Sequence, residues 1–244
     1  MPDAQKATGS TTVSIRTLVP RRAGVVHLAH LLSQYDSGKF PLGNGGIRGN
    51  VMDPKEQFSQ VTDLLSALVD GTDADQLGDD TPCSDFDVRD LIGHFTLGRF
   101  LFAAGLSGDK ARGEELIGGM PARLGDVLGD DHRATYQDAT VQLDAAVDGL
   151  EDLDEVISLI FGDMPAGVAL QTISADNLVH CWDLARSTGQ DFDPPGDLVD
   201  SMTAFFSGFI TDERRAGGQF GPEVEVPDDA SGLDRLLGLC GRTP

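Results

Sequence analysis

The chain has 244 residues, of which 40% are hydrophobic, and this is enough for one domain with its own buried core. Its 40 acidic residues outnumber its 18 basic residues, so the net charge is −22. A surface this acidic repels phosphate backbones and anionic lipids, which disfavours nucleic acid and membranes as partners.

Residues 1–51 differ in character from the rest of the chain. They carry six basic residues against two acidic ones, and they show no helical period before Met52. We predict that they form a disordered extension. The folded domain is then expected to comprise residues 52–244 and to bind a metal ion.

Three helical segments are expected in the first half of the domain. The first begins at Asp53-Pro54, because an N-cap aspartate followed by a first-turn proline is typical of helix starts. The second opens at Ser84, whose spacing to Asp87 matches a capping box. The third follows the apolar helical period of residues 136–150.

The connections between these helices are less regular. Residues 105–130 are rich in glycine and predict only a short helix at 114–116. His132 lies in an acidic stretch that we expect to be exposed, so it is assigned to no site. The β-branched and apolar run at 156–161 predicts either a strand-like segment or a buried connection.

The second half of the domain contains further helices. A long helix is expected from about 166 to 188, ended by Gly189, a residue type that favours the position after a helix. A fifth helix follows at 198–210 and a short one at 233–239. The predicted fold is therefore all-α, an up-and-down four-helix bundle with additional C-terminal helices.

The chain has three cysteines, Cys83, Cys181 and Cys240, and none lies in a Cys-x-x-Cys motif. An odd and sparse set argues against a disulfide framework, so we expect a cytoplasmic protein. Free cysteine usually behaves as a small buried hydrophobe. We predict that these thiols are neither metal ligands nor nucleophiles.

Asp176 and His180 are four residues apart, so they share one face of the long helix. A buried carboxylate needs a partner, which could be a metal ion or the histidine itself. His94 lies on or beside the apolar stripe of the second helix. Helices of a bundle commonly build metal sites from side chains that point inward.

Together, His94, Asp176 and His180 offer two imidazoles and one carboxylate. Such a set leaves coordination positions open, which favours catalysis or ligand binding over a structural metal. Zinc suits it, and so do nickel and ferrous iron. The alternative is a metal-free cluster held by hydrogen bonds. Asp183 either orients the imidazole of His180 or pairs with Arg186 at the surface.

Two segments resemble the signatures of a known family. Residues 81–94 read TPCSDFDVRDLIGH and residues 179–189 read VHCWDLARSTG. Both resemble the DinB/YfiT-like metalloenzyme family, most closely the actinobacterial group related to the metal-binding domain of mycothiol-dependent maleylpyruvate isomerase. Residues 215–222 and 233–239 resemble the usual ending of that group, and the resemblance covers residues 53–244.

The resemblance implies a four-helix bundle whose divalent metal is held by His94, Asp176 and His180. Enzymes of this family use a low-molecular-weight thiol, which a metal stabilises as the thiolate. The implied function is a mycothiol-type thiol transferase or isomerase acting on a small electrophile, with Arg186 near the thiol cosubstrate. The alternative is a non-catalytic metal-binding module with a stress or regulatory role.

Overall fold

The computed structural model of the protein describes residues 52–83, 86–159, 162–216 and 220–244. The extension predicted for residues 1–51 lies outside them. The described residues form eight α-helices and one β-hairpin. None of these helices has the length and apolar character needed to cross a membrane.

The α-helices are α1 Pro54–Gly71, α2 Val88–Leu106, α3 Lys110–Gly118, α4 His132–Asp148, α5 Ala166–Thr188, α6 Gly196–Phe209, α7 Asp212–Ala216 and α8 Gly232–Leu239. The hairpin strands are β1 Val156–Leu159 and β2 Gly162–Pro165, and 3-10 turns lie at Ala74–Gly78 and Leu124–Leu128. The predicted all-α fold with additional C-terminal helices is confirmed.

The ends of α1 and α5 follow local sequence signals. The Asp53 side chain accepts hydrogen bonds from the backbone N–H groups of Lys55 and Glu56, which no other turn of the helix can satisfy. Gly189 adopts a left-handed φ of 69° immediately after α5, a conformation that costs other residues energy. Both ends lie where the sequence predicts them.

The bundle consists of α1, α2, α4 and α5. Phe58 near the start of α1 shares a buried cluster with Leu170 near the start of α5, so these two helices run in the same direction. Thr72 at the end of α1 contacts His132 at the start of α4, so α4 runs in the opposite direction.

Successive helices α1 and α2, and likewise α4 and α5, run antiparallel, as up-and-down connections require. The connection between α2 and α4 instead returns along the bundle through α3 and the second 3-10 turn. Arg89 in the first turn of α2 donates a 2.5 Å hydrogen bond to the carbonyl of Gly129, just before α4. The two helices therefore start at the same end of the bundle.

The start of α2 differs from the prediction. Asp87, not Ser84, caps the helix, and its carboxylate accepts from the backbone N–H of Asp90. Arg123, from the loop before the second 3-10 turn, forms ion pairs with both of these aspartates. A local capping pattern does not predict this contact from a distant loop. Ser84 itself lies outside the described residues.

Two further expectations were wrong. His132 is buried, because its Nε2 lies 3.2 Å from the carbonyl oxygen of Thr72 and closes the end of α1. The glycine-rich connection holds a longer helix than expected, α3, and a 3-10 turn. The run at 156–161 forms the first strand of a hairpin up to Leu159, and residues 160–161 are outside the described part.

The C-terminal helices pack against α5 through a separate apolar cluster. It joins Leu178 and Val179 of α5 to Phe206 of α6 and Leu236 of α8. This packing brings phenylalanines of α6 next to the face of α5 that carries Asp176.

Candidate metal centre

His94 is placed by a rigid start of α2. Asp87 caps the helix and is held in turn by Arg123. A side-chain carbon added at Gly93 would lie 2.3 Å from the carbonyl oxygen of Leu124, so only glycine lets the second 3-10 turn approach this closely. His94 follows directly and points away from that turn, into the bundle, where it is 1% exposed.

The structure brings together the three side chains that the sequence singles out. The Nε2 of His94 lies 3.0 Å from one carboxylate oxygen of Asp176, and the Nε2 of His180 lies 3.7 Å from the other. One donor atom from each residue falls within 4.8 Å of the other two. Both histidines are buried, whereas the Asp176 side chain is 22% exposed.

These distances fit a bound ion. Ligand atoms of a tetrahedral zinc with bonds of about 2.0–2.1 Å lie roughly 3.3 Å from one another. The 3.0 and 3.7 Å separations around Asp176 fall on either side of that value. The shorter one also suits a direct hydrogen bond, so the distances agree with a metal-free cluster as well.

His180 is oriented by Asp183. The carboxylate of Asp183 lies 2.7 Å from Nδ1 of His180 and is fully buried. Burial alone would raise the pKa of Asp183, but the hydrogen bond from His180 and the charge of Arg242 outweigh it and lower that pKa. An ionised carboxylate only accepts, so Nδ1 carries a proton and donates to it, while Nε2 faces Asp176.

Arg242, not Arg186, is the cation beside Asp183. Its Nη2 and Nε lie 2.9 and 3.4 Å from the two carboxylate oxygens. Arg186 is exposed and lies over the ring of Trp182, 5.9 Å from its centroid. The surface pair with Arg186 is therefore absent from the described contacts, and Arg186 is not brought to the cluster.

The sequence offered little signal for Arg242. It lies 59 residues after Asp183, far along the chain from the two segments that carry the candidate ligands. The residues of α6 that approach the cluster were expected only as part of a helix at 198–210.

A pocket opens beside the cluster and encloses about 760 Å³ including its mouth. His94, Asp176 and His180 form part of its wall. The remaining wall is largely aromatic and includes Phe102, Phe205, Phe206, Phe209 and Phe220. The three candidate ligands thus face a pocket that opens to solvent.

The cysteines are placed as the sequence predicts for idle thiols. Cys181 and Cys240 are buried and Cys83 is half-buried, and the three form no disulfide. Burial raises the pKa of Cys181 above its usual range and that of Cys240 to about 12. No cysteine belongs to the group of metal-ligating side chains found among the described residues.

Comparison with known sequences identifies the family. The sequence model described as the mycothiol maleylpyruvate isomerase N-terminal domain matches residues 58–185. The chain belongs to this family. The matched residues contain α2 and nearly all of α5, the two helices that carry the candidate ligands. The family expected from the sequence signatures is confirmed.

Relatives and solved structures agree with this assignment. Uncharacterized proteins from two strains of Mycobacterium tuberculosis are each 30% identical over 198 residues, covering 79% of this chain and 99% of the relative. The crystal structure of the mycothiol-dependent maleylpyruvate isomerase matches with a TM-score of 0.50 at 19% identity, and a histidine-to-alanine mutant of it matches with 0.50 at 17%. Each match covers 73% of this chain and 77% of the isomerase, and establishes a shared fold.

Proposed function

We propose that this protein binds one divalent metal ion and uses a mycothiol-type thiol to attack a small electrophile. The observation that carries the proposal is the opening of the His94, Asp176 and His180 cluster onto the pocket. Structural metal sites are closed by protein ligands, whereas catalytic sites keep positions open. Membership of the mycothiol maleylpyruvate isomerase N-terminal domain family supports a thiol as cosubstrate.

The donor set fits the proposed ion. Two neutral imidazole nitrogens and one carboxylate suit zinc, and they also accept nickel or ferrous iron. The Asp183 contact to His180 is the kind of carboxylate–histidine support that metal sites use. A divalent ion held by these residues would lower the pKa of the incoming thiol, so that the thiolate predominates.

The side chains around the proposed ion then have separate roles in the reaction. Asp183 keeps the proton of His180 on Nδ1, and Arg242 keeps Asp183 ionised. The aromatic wall excludes water and lowers the local dielectric, which strengthens electrostatic interactions in the site. In the reaction an S–C bond forms, and the thiol proton goes to the substrate atom that receives the displaced electron pair. No oxidant or reductant is required.

Metal analysis tests the site directly. We expect the parent protein to hold one equivalent of metal by mass spectrometry, and His94→Ala and His180→Ala to lose it. Asp176→Asn should weaken binding because it removes the anionic ligand, whereas Asp176→Glu should be tolerated. His132→Gln is the matched control, since His132 lies outside the cluster and should not affect metal content. Full metal in both alanine variants would place the ion elsewhere.

Turnover tests the proposed chemistry. The metal-loaded protein is incubated with mycothiol and a panel of electrophiles, and adducts are quantified by mass spectrometry above the uncatalysed rate. His180→Ala should reduce the rate to background. Stoichiometric metal without turnover of any electrophile would favour the alternative, a non-catalytic metal-binding module.

A further inference from the structure

The pocket beside the cluster has an aromatic wall with a defined geometry. The rings of Phe205 and Phe209 are stacked, with centroids 5.2 Å apart and planes inclined by 20°. Phe220 meets Phe206 and Phe209 edge-on at 6.0 and 6.1 Å. Ring pairs at these separations and angles are the arrangements that aromatic groups prefer, so a further ring can join them.

The pocket offers no unpaired positive charge among its described lining residues. Arg242 is the single cation in the lining, and two of its nitrogens bind Asp183 while Nη1 donates to the carbonyl of Cys240. Arg214 is held over the ring of Phe209, 3.8 Å from its centroid, and does not line the pocket. Asp176 adds a negative charge to the wall.

With the proposed divalent ion bound, its two positive charges are offset by Asp176 and by the thiolate, so this charge balance still disfavours an anionic substrate. A carboxylate moved from water into an apolar pocket without a cationic partner carries a large desolvation penalty. A dicarboxylate, such as the maleylpyruvate in the name of the similar solved enzyme, would need two such partners. The described wall supplies Asp176 and a cation already neutralised by Asp183.

One uncharged polar group in the wall lacks a partner. Asn177 is 4% exposed and lines the pocket, yet its side-chain amide forms no hydrogen bond with another described residue. The neighbouring lining hydroxyl of Thr172 is already committed to the carbonyl of Val168 at 2.8 Å. Its N–H group can therefore donate to a carbonyl oxygen of a molecule bound in the pocket.

We infer that the pocket selects an uncharged aromatic carbonyl electrophile, whose ring packs on the phenylalanine wall and whose carbonyl accepts from Asn177. The inference rests on the proposed function, because it names the substrate class of that reaction. For an aryl enone, the thiolate sulfur bonds to the β-carbon while the π electrons move onto the carbonyl oxygen. The thiol proton then reaches the α-carbon, so the product is a thioether ketone.

Binding measured without turnover tests the selectivity of the pocket. Phenylnaphthylamine and anilinonaphthalene sulfonate share one ring system and differ by the sulfonate, and both fluoresce in apolar surroundings. In the metal-loaded protein saturated with mycothiol, we expect the uncharged dye to bind more tightly by roughly tenfold or more, since no net positive charge remains for the sulfonate. Equal binding, or tighter binding of the sulfonate, would overturn the inference.

Two alanine variants locate the binding. Phe205→Ala should weaken binding of the uncharged dye, whereas Phe192→Ala should not, because Phe192 is also half-buried but does not line the pocket. Circular dichroism establishes that both variants are folded. Phe205→Arg adds a cation to the wall and should narrow or reverse the preference between the two dyes. An unchanged preference in this folded variant counts against the charge argument.

Kinetics separate the inference from the proposed function. With mycothiol, benzylideneacetone should react with a higher kcat/KM than its para-carboxylate, and Asn177→Leu should lower this kcat/KM by about tenfold while leaving metal content unchanged. His180→Ala should stop turnover but retain dye binding. Equal turnover of both ketones contradicts the inference alone. Selective dye binding without any thiol adduct contradicts the proposed function and leaves the pocket preference standing.

Discussion

The carboxylate of Asp183 lies 2.7 Å from Nδ1 of His180, one turn further along the same helix. Because this hydrogen bond and the charge of Arg242 lower the pKa of Asp183, its carboxylate stays ionised and can only accept a hydrogen bond. The Nε2 of His180 is therefore left to face Asp176. The orientation of one candidate ligand thus depends on two residues that do not touch the proposed ion.

Asp183→Asn should weaken zinc binding by about 10–100-fold, because outer carboxylates of this kind raise the basicity of the histidine and fix its ring. Competition with a chromophoric chelator measures the affinity. Asp200→Asn on the exposed side of α6 is the matched control and should bind zinc as the parent does. An unchanged affinity in the Asp183 variant would show that His180 is oriented by packing alone.

Arg242→Met should lower the free energy of unfolding by about 1–3 kcal/mol, because it leaves Asp183 buried with only His180 as partner. Denaturant titration measures the loss. Arg235→Met on the exposed side of α8 serves as control and should change stability little. A variant with both Arg242→Met and Asp183→Asn should lose less than the sum of the single changes, since each removes the same interaction.

Gly93→Ala should destabilise the fold by about 1–3 kcal/mol, because the added carbon meets backbone atoms of Leu124 that cannot move independently. Gly98→Ala on the same helix is the control. A side-chain carbon there meets nothing within 4 Å, so the change should stabilise the helix by about 0.5–1 kcal/mol. Thermal unfolding compares the two, and equal effects would contradict the close contact at Gly93.

The sequence predicts features that depend on neighbours along the chain. Asp53-Pro54 and Gly189 mark helix ends because capping needs only residues a few positions away. The pairing of Asp176 with His180 follows from helical periodicity alone. The fold class and the placement of these two side chains could therefore be predicted from the sequence.

Features that depend on contacts between distant parts of the chain could not be predicted from the sequence. The cap of α2 at Asp87 is a local contact with Asp90, but the ion pair from Arg123 that holds Asp87 comes from another loop. His132 is buried because the end of α1 lies against it, although its sequence surroundings are acidic. Arg242 finds Asp183 only in the folded chain. None of these contacts leaves a periodic or local pattern in the sequence.

Cys181 and Cys240 should react slowly with iodoacetamide at mildly alkaline pH. Burial raises the pKa of both thiols, that of Cys240 to about 12, so little thiolate is present. The half-buried Cys83 should be labelled first, and all three after denaturation. Peptide mass spectrometry follows the labelling. Loss of metal on alkylation, or in a variant with all three cysteines replaced by serine, would contradict the prediction that no thiol is a ligand.

Asp144→Asn should raise stability at neutral pH by a few tenths of a kcal/mol, a small value because the side chain is half-exposed. Burial raises the pKa of Asp144; Arg99 opposes this, while Asp148 and Asp63 add to it. The folded state therefore disfavours the ionised form, a penalty that is present above the folded pKa and disappears below about pH 3.9, the unfolded value.

Denaturant titrations at several pH values measure this difference. The advantage of Asp144→Asn should shrink as the pH falls, whereas Asp138→Asn, an exposed change on the same helix, should show no such trend. A constant advantage at every pH would point to helix propensity instead of ionisation.

The candidate ligands are separated by very different lengths of chain. Asp176 and His180 are one helical turn apart, but His94 precedes Asp176 by 82 residues. An ion held by all three would close a long loop between α2 and α5, as a cross-link does, and the entropy of such a loop counts against the unfolded chain. At a concentration 100 times its Kd, an ion bound only to the native state adds about 2.7 kcal/mol. Removal of the ion by a chelator should therefore lower the free energy of unfolding of the whole bundle, and not only change the pocket.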